Sequence, residues 1–190
     1  MIELTHTDSL RHTIFAPLLD LGVQRLLTVS NAGGSSILSE ALSFFIVKSV
    51  FRKIHSDIQL HKTEMELKYR PGSKITDYTV LHQKEVIGCS VVRFFNYYNL
   101  DEKLSDTEIR LLLYKKLIGI IESTFNIIND HWDRQILHIF TPNKQTAKSI
   151  KRIVKELDDI INNTIIIVTI AHLPSIYLER GKLILNITEE

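Results

Sequence analysis

The sequence predicts an α/β protein in which a mixed β-sheet, a three-strand meander plus further strands, is flanked by helices. Two observations carry that prediction. Between residues 62 and 95, alternating and β-branched runs follow one another with a Pro-Gly turn and a polar turn between them. From residue 105 onward, helical apolar stripes alternate with short runs that are apolar throughout.

Taken in order, residues 8 to 28 read as helical, with Pro17 breaking or starting a segment. SNAGGSS follows as a loop ending in two N-cap candidates, Ser35 and Ser36. ILSEALSFFIVKSVFRKI is a helix apolar nearly all round, as a buried helix is. KTEMELKYR sets Glu64, Glu66 and Lys68 against Met65, Leu67 and Tyr69, the period of a half-exposed strand, and Pro71-Gly72 ends it. KITDYTVL and EVIGCSVVRFF complete the meander across a turn at Gln83, Lys84 and Glu85. Ser105 and Glu108 form a capping box opening the helix SDTEIRLLLYKKLIGIIES. RQILHIFT is a strand closed by Pro142, NKQTAKSIKRIVKELDDI an amphipathic helix capped by Asn143, and NTIIIVTIA a strand buried on both faces. The tail KLILNI reads as a short edge strand. One domain over residues 1 to 190, with its core from about 35 to 170, is the simplest organisation, since no linker or repeat interrupts the chain.

Composition narrows the function classes. With 44% hydrophobic and 24% charged residues among 190, the chain is ordinary for a soluble globular protein. A net charge of +1 excludes a global field for nucleic acid, so any basic surface is local. The single cysteine, Cys89, excludes an internal disulfide and a cysteine-based zinc site, and its apolar run points to a buried thiol. The eight histidines show no ligand spacing, which argues against zinc. No apolar run is long enough to span a bilayer, and the N-terminus lacks the order of a signal peptide. The expectation is an intracellular protein, cytoplasmic or nuclear, away from membranes.

A few residues carry chemical interest. Glu40 stands among Ile37, Phe44 and Val47, where a carboxylate needs a partner or a metal unless the helix start exposes it. Asp77 sits where strands disfavour Asp, so either a site role or capping of backbone amides must explain it. Arg93 is a lone cation near the end of an apolar strand, and an ion pair with Asp77 or Glu40 would account for all three without chemistry. Lys144, Lys148, Lys151, Arg152 and Lys155 recur at helical spacing as one basic face, either solvated or contacting phosphates. SNAGGSSILSE could cradle an anion at a helix start but lacks a Walker ending. Ser35 and Ser90 lie in no nucleophile motif. Phe94, Phe95, Tyr97 and Tyr98 suit either packing or base stacking.

The element order, with Glu40 on the first core helix and Asp77 on the second strand, resembles the PD-(D/E)XK, or restriction-endonuclease-like, superfamily over roughly residues 35 to 141. Val91-Val92-Arg93 stands where that family's third-strand acid and lysine stand, as in a degenerate member. GGSSILSE, GSKITDY and IGCSVVR are also similar to a group of fungal and protist proteins. The superfamily resemblance implies a Mg²⁺-dependent nuclease acting on or binding nucleic acid. Glu40 and Asp77 would hold the metal, with Glu64 or Glu66 bringing a further oxygen. Arg93 and Lys115 or Lys116 would supply positive charge, since the family's lysine can migrate to the following helix. The alternative is a catalytically silent module of the same fold, binding a protein partner or forming a homodimer, in which Glu40, Asp77 and Arg93 make a structural ion network.

Overall fold

In the computed structural model, residues 2–5, 20–29, 36–161 and 163–177 are described. The chain order is β1 (Ile2–Thr5), α1 (Leu21–Thr28), α2 (Ile37–Lys53), β2 (Gln59–Thr63), a 3₁₀ turn (Glu64–Glu66), β3 (Tyr78–His82) and β4 (Glu85–Arg93). Then come α3 (Asp106–Asn126), β5 (Arg134–Thr141), α4 (Lys144–Val154), α5 (Asp158–Ile161), β6 (Thr164–Ile170) and α6 (Pro174–Tyr177). Among the described residues, six strands form one sheet in the order β1-β6-β5-β4-β3-β2. β2, β3 and β4 pair antiparallel, whereas β4, β5, β6 and β1 pair parallel. The mixed α/β architecture predicted above is therefore the observed one. Parallel neighbours need crossovers, which α3 supplies between β4 and β5, and α4 with α5 between β5 and β6.

Helices cover both faces of the sheet. Leu137, Ile139, Ile166, Val168 and Ile170 pack on Ile109, Leu113, Leu117 and Ile120 of α3 and Ile150 and Ile153 of α4. On the other face, Tyr78, Val80, Ile87, Cys89, Ile136 and Ile167 meet Ala41, Phe44, Val47 and Phe51 of α2 and Val23 and Leu26 of α1. Burying a side chain of this size contributes roughly 1.5–3 kcal/mol, so these two layers fix the helices on the sheet. Cys89 lies buried in the second layer, and that burial pushes its thiol pKa up. Gly22 lets α1 approach α2, because a Cβ there would clash with the Phe44 ring.

Several local expectations hold. Ser105 and Glu108 cap α3, with the Ser105 N–H donating to Glu108 Oε2 at 2.8 Å. Asn143 caps α4 through the N–H groups of Gln145 and Thr146. Gly72 has φ +80 and the Ser73 N–H donates to Arg70 O, as a Pro-Gly turn requires. β6 is buried on both faces over Ile166–Ile170.

Others are corrected. The first meander strand runs over Gln59–Thr63, not 62–70, and Glu64–Glu66 is a 3₁₀ turn. The reason is local, since Thr63 and Glu66 form a capping box of their own, the Thr63 N–H donating to Glu66 Oε2 at 2.8 Å. β3 begins at Tyr78, so Asp77 precedes the strand instead of lying within it. The helix predicted through residue 160 stops at Val154, and Asp158 and Asp159 open α5, where a helix start favours acid. β1 is an additional strand that the sequence patterns do not announce. The N-terminal part of the 8–28 helix, Ser35 and the KLILNI strand lie outside the described residues.

Candidate functional site

The candidate site forms where β3 begins, beside the carboxyl end of β4. Open α/β sheets bind ligands outside the carboxyl ends of parallel strands, and β4 and β5 are such a pair. The antiparallel ladder stops at Tyr78 opposite Cys89. Beyond it the Asp77 carboxylate replaces a strand, accepting the Val91 N–H at Oδ2 over 2.6 Å. That bond favours the ionised form, yet burial and the nearby charge of Glu40 outweigh it and raise the Asp77 pKa to about 7. Glu64 pushes in the same direction, whereas Lys116 opposes it. Asp77 as a whole residue keeps partial solvent contact, so the crowding is around its carboxyl group.

Glu40 reaches this place because of what lies one turn further along α2. The Ser43 hydroxyl hydrogen-bonds Tyr78 OH at 2.8 Å, which pins that turn over the residue next to Asp77. Glu40 is 3% exposed, in the first turn of α2, where the helix dipole favours a negative charge. Lys116 comes from α3, on the opposite face of the sheet, and is half-buried. Two helix layers thus deliver opposite charges to the start of one strand.

Of the residues predicted for the site, Glu40, Glu64 and Lys116 each act electrostatically on Asp77. The others have contacts of their own. Glu66 pairs with Arg25 and caps the 3₁₀ turn. Lys115, one residue from Lys116, points about 100° away round the helix and is exposed. Arg93 donates from Nη1 to Ile176 O at 2.9 Å, tying β4 to α6. Lys144, Lys148, Lys151, Arg152 and Lys155 are all exposed. Arg152 is engaged by Asp106 and Glu156. Of the aromatic run, Phe94 is core and Phe95 packs on Tyr177, while Tyr97 and Tyr98 are exposed and stack edge to face.

Sequence reasoning missed a buried polar chain beneath the site. His138 hydrogen-bonds Ser43 Oγ through Nδ1 and Thr169 Oγ1 through Nε2, each at 2.8 Å. With Tyr78 it forms the run Thr169–His138–Ser43–Tyr78. Burial lowers the His138 pKa to about 3, so the ring is neutral and must donate at one nitrogen and accept at the other. The available signal was a His inside the apolar strand RQILHIFT and a Ser one turn after Glu40.

The donor chemistry suits a hard divalent cation in part. Oxygen ligands from one or two carboxylates are what Mg²⁺ takes from a protein, its other positions being filled by water. Among the described residues, no group of three or more His, Cys, Asp or Glu side chains is placed to hold a metal. No helix among the described residues is long and apolar enough to cross a membrane.

No family model matches the chain. It is 44% identical over 138 residues to the AAC-rich mRNA clone AAC4 protein of Dictyostelium discoideum. The match covers 70% of this chain but only 20% of that relative, so the chain spans about a fifth of its length. Among solved structures, Pyrococcus furiosus SfsA in complex with Ca²⁺ aligns with a TM-score of 0.33 and 14% identity, over 68% of this chain and 55% of that one.

Proposed function

We propose that this chain is a metal-dependent nuclease-like domain acting on nucleic acid, with Glu40 and Asp77 as the residues that hold Mg²⁺. The observation that carries the reading is the Asp77 carboxyl itself, whose burial, with the charge of Glu40 nearby, raises its pKa to about 7. Like charges held together in a protein cost free energy that a divalent cation relieves. A bound Mg²⁺ would supply charge neutralisation at a phosphodiester and activate water. The chain's own residues do the rest. Asp77 gives up its proton near neutral pH, and its bond to Val91 fixes the carboxylate's orientation. Lys116 supplies the positive charge beside it, the role the migrated lysine plays in the resemblance. Glu64 tunes the field from the rim. Lys144, Lys148, Lys151 and Lys155 offer an exposed basic surface for the phosphate backbone.

Calorimetry with Mg²⁺ and Mn²⁺ tests the reading, comparing wild type with Glu40→Ala and Asp77→Ala. Binding lost in both variants, followed by metal-dependent cleavage of DNA or RNA, is the expected result. Absence of binding by folded wild type would overturn it.

A second reading has its own observations. The Asp77–Val91 and Arg93–Ile176 bonds give both residues structural work, as a catalytically silent interaction module would use them. In that case Asp77→Ala lowers stability and changes no ligand affinity.

A further inference from the structure

Helix α3 is apolar on two separate stripes. Ile109, Leu113, Leu117 and Ile120 enter the core. About 135° round the helix stand Leu111, Tyr114, Ile118 and Phe125, which are 66%, 49%, 41% and 78% exposed. Half-buried Ile121 lies between the last two. These five positions repeat at spacings of three and four residues, as one side of a packed helix pair does. The stripe is straight and roughly 21 Å long at 1.5 Å per residue. Single exposed apolar residues need no explanation, but a continuous stripe on an otherwise well-packed helix marks a covered surface.

We infer that this stripe joins two copies of the chain, their α3 helices packed antiparallel about a two-fold axis at Ile118. A two-fold interface must be complementary to itself, and this one is. With Ile118 opposite its own copy, Leu111 falls opposite Phe125, and Tyr114 comes within one residue of level with Ile121, about 1.5 Å along the axis, so each large side chain has an apolar group within reach. The same register brings Lys115 of each copy within one residue of level with Glu122 of the other on one flank. Within a chain these two residues are two helical turns apart, about 10 Å along the axis, and cannot reach each other. The intrachain partner shown for Glu122 is the Lys74 N–H at 3.1 Å, which leaves its second carboxylate oxygen for the lysine across the seam. Charge complementarity at the flank and apolar matching along the centre specify the same register. Lys115 thus belongs to this seam, while its neighbour Lys116 serves the carboxylate cluster. The inference is independent of the metal reading.

Sedimentation equilibrium of the full chain over a concentration series tests it. A mass of twice the monomer is expected, reverting to monomer in Ile118→Glu with unchanged far-UV circular dichroism. Lys115→Glu and Glu122→Lys should each weaken dimerisation by about threefold or more, and the double charge swap should restore it. Ile118→Cys should form a symmetric disulfide on mild oxidation, since the chain's own Cys89 is buried. Monomeric mass at every concentration overturns the inference, including the case where another part of the chain or another protein shields the stripe. So does a dimer indifferent to Ile118→Glu, or failure of the Ile118→Cys variant to cross-link.

Discussion

The Asp77 carboxylate accepts the main-chain N–H of Val91 at 2.6 Å, so a side chain continues the hydrogen bonding of β4 where β3 has ended. That bond gives the carboxylate one fixed direction. Glu40, arriving from α2, then raises the cost of ionising it. The same residue is therefore both a structural cap and a carboxyl that still holds its proton close to neutral pH.

Replacing Asp77 with Asn removes the charge and keeps an oxygen that can accept the Val91 N–H. A carboxyl whose pKa is raised from 3.8 to about 7 favours the folded state fully below pH 3.8 and loses that benefit as pH rises through 7. Asp77→Asn should therefore be more stable than wild type at pH 8, on the order of 1–3 kcal/mol, and equal to it near pH 3.5. Urea denaturation at the two pH values measures the difference. An Asn variant less stable than wild type at pH 8 would show that ionised Asp77 is not the costly species.

His138 works in the opposite direction. Its pKa falls from 6.5 to about 3 on folding, so its contribution is complete above pH 6.5 and is lost as pH falls toward 3. Between about pH 4 and 6.5 the two groups oppose each other, and wild-type stability should be nearly flat. Asp77→Asn should unmask the histidine, so that stability drops by roughly 1 kcal/mol per pH unit on acidification through that range. Ser43→Ala should cost about 1–3 kcal/mol at pH 7, since it strips one partner from both Tyr78 OH and His138 Nδ1.

Metal binding, if the proposed function holds, must displace the proton that Asp77 retains near neutrality. Mg²⁺ affinity should rise between pH 6 and 8, with about one proton released per ion bound at pH 6.5. Calorimetry in two buffers of different ionisation enthalpy reads the proton count. Lys116→Met should tighten the metal and weaken any cleavage, separating a charge that opposes the cation from one that assists phosphate. A pH-independent affinity would place the metal away from Asp77.

Nucleic-acid affinity, measured by fluorescence anisotropy against salt, should depend on the exposed lysines of α4. Each of Lys144→Ala, Lys148→Ala and Lys155→Ala should lower the slope of log K against log salt by roughly 0.7 to 0.9. Arg152→Ala should change it less, because Asp106 and Glu156 already engage that guanidinium. An unchanged slope in the triple variant would mean this face is solvated only.

Much of the fold is legible residue by residue. Capping at Ser105 and Asn143, the Pro71-Gly72 turn and the continuous apolar run of β6 are local signals that the structure obeys. Alternation in KTEMELKYR points to a strand over 62–70, but the capping box of Thr63 and Glu66 bends the chain there and overrides it. β1 carries no such local signal. It lies at the sheet edge and is specified by its parallel partner, β6, which comes from the far end of the chain.

By itself, the sequence determined which residues carry charge and which segments repeat with helical or strand period, since both are properties of neighbours along the chain. It therefore singled out Glu40, Asp77, the basic face of α4 and the helical character of α3. Tertiary structure decided that charges from two helix layers, Glu40 on α2 and Lys116 on α3, act on Asp77. It also showed that Leu111 and Phe125 face away from the core that Leu113 and Leu117 enter. Those choices depend on strand register and on the rotation of each helix about its axis. Long-range packing sets both, and no window of neighbouring residues contains them.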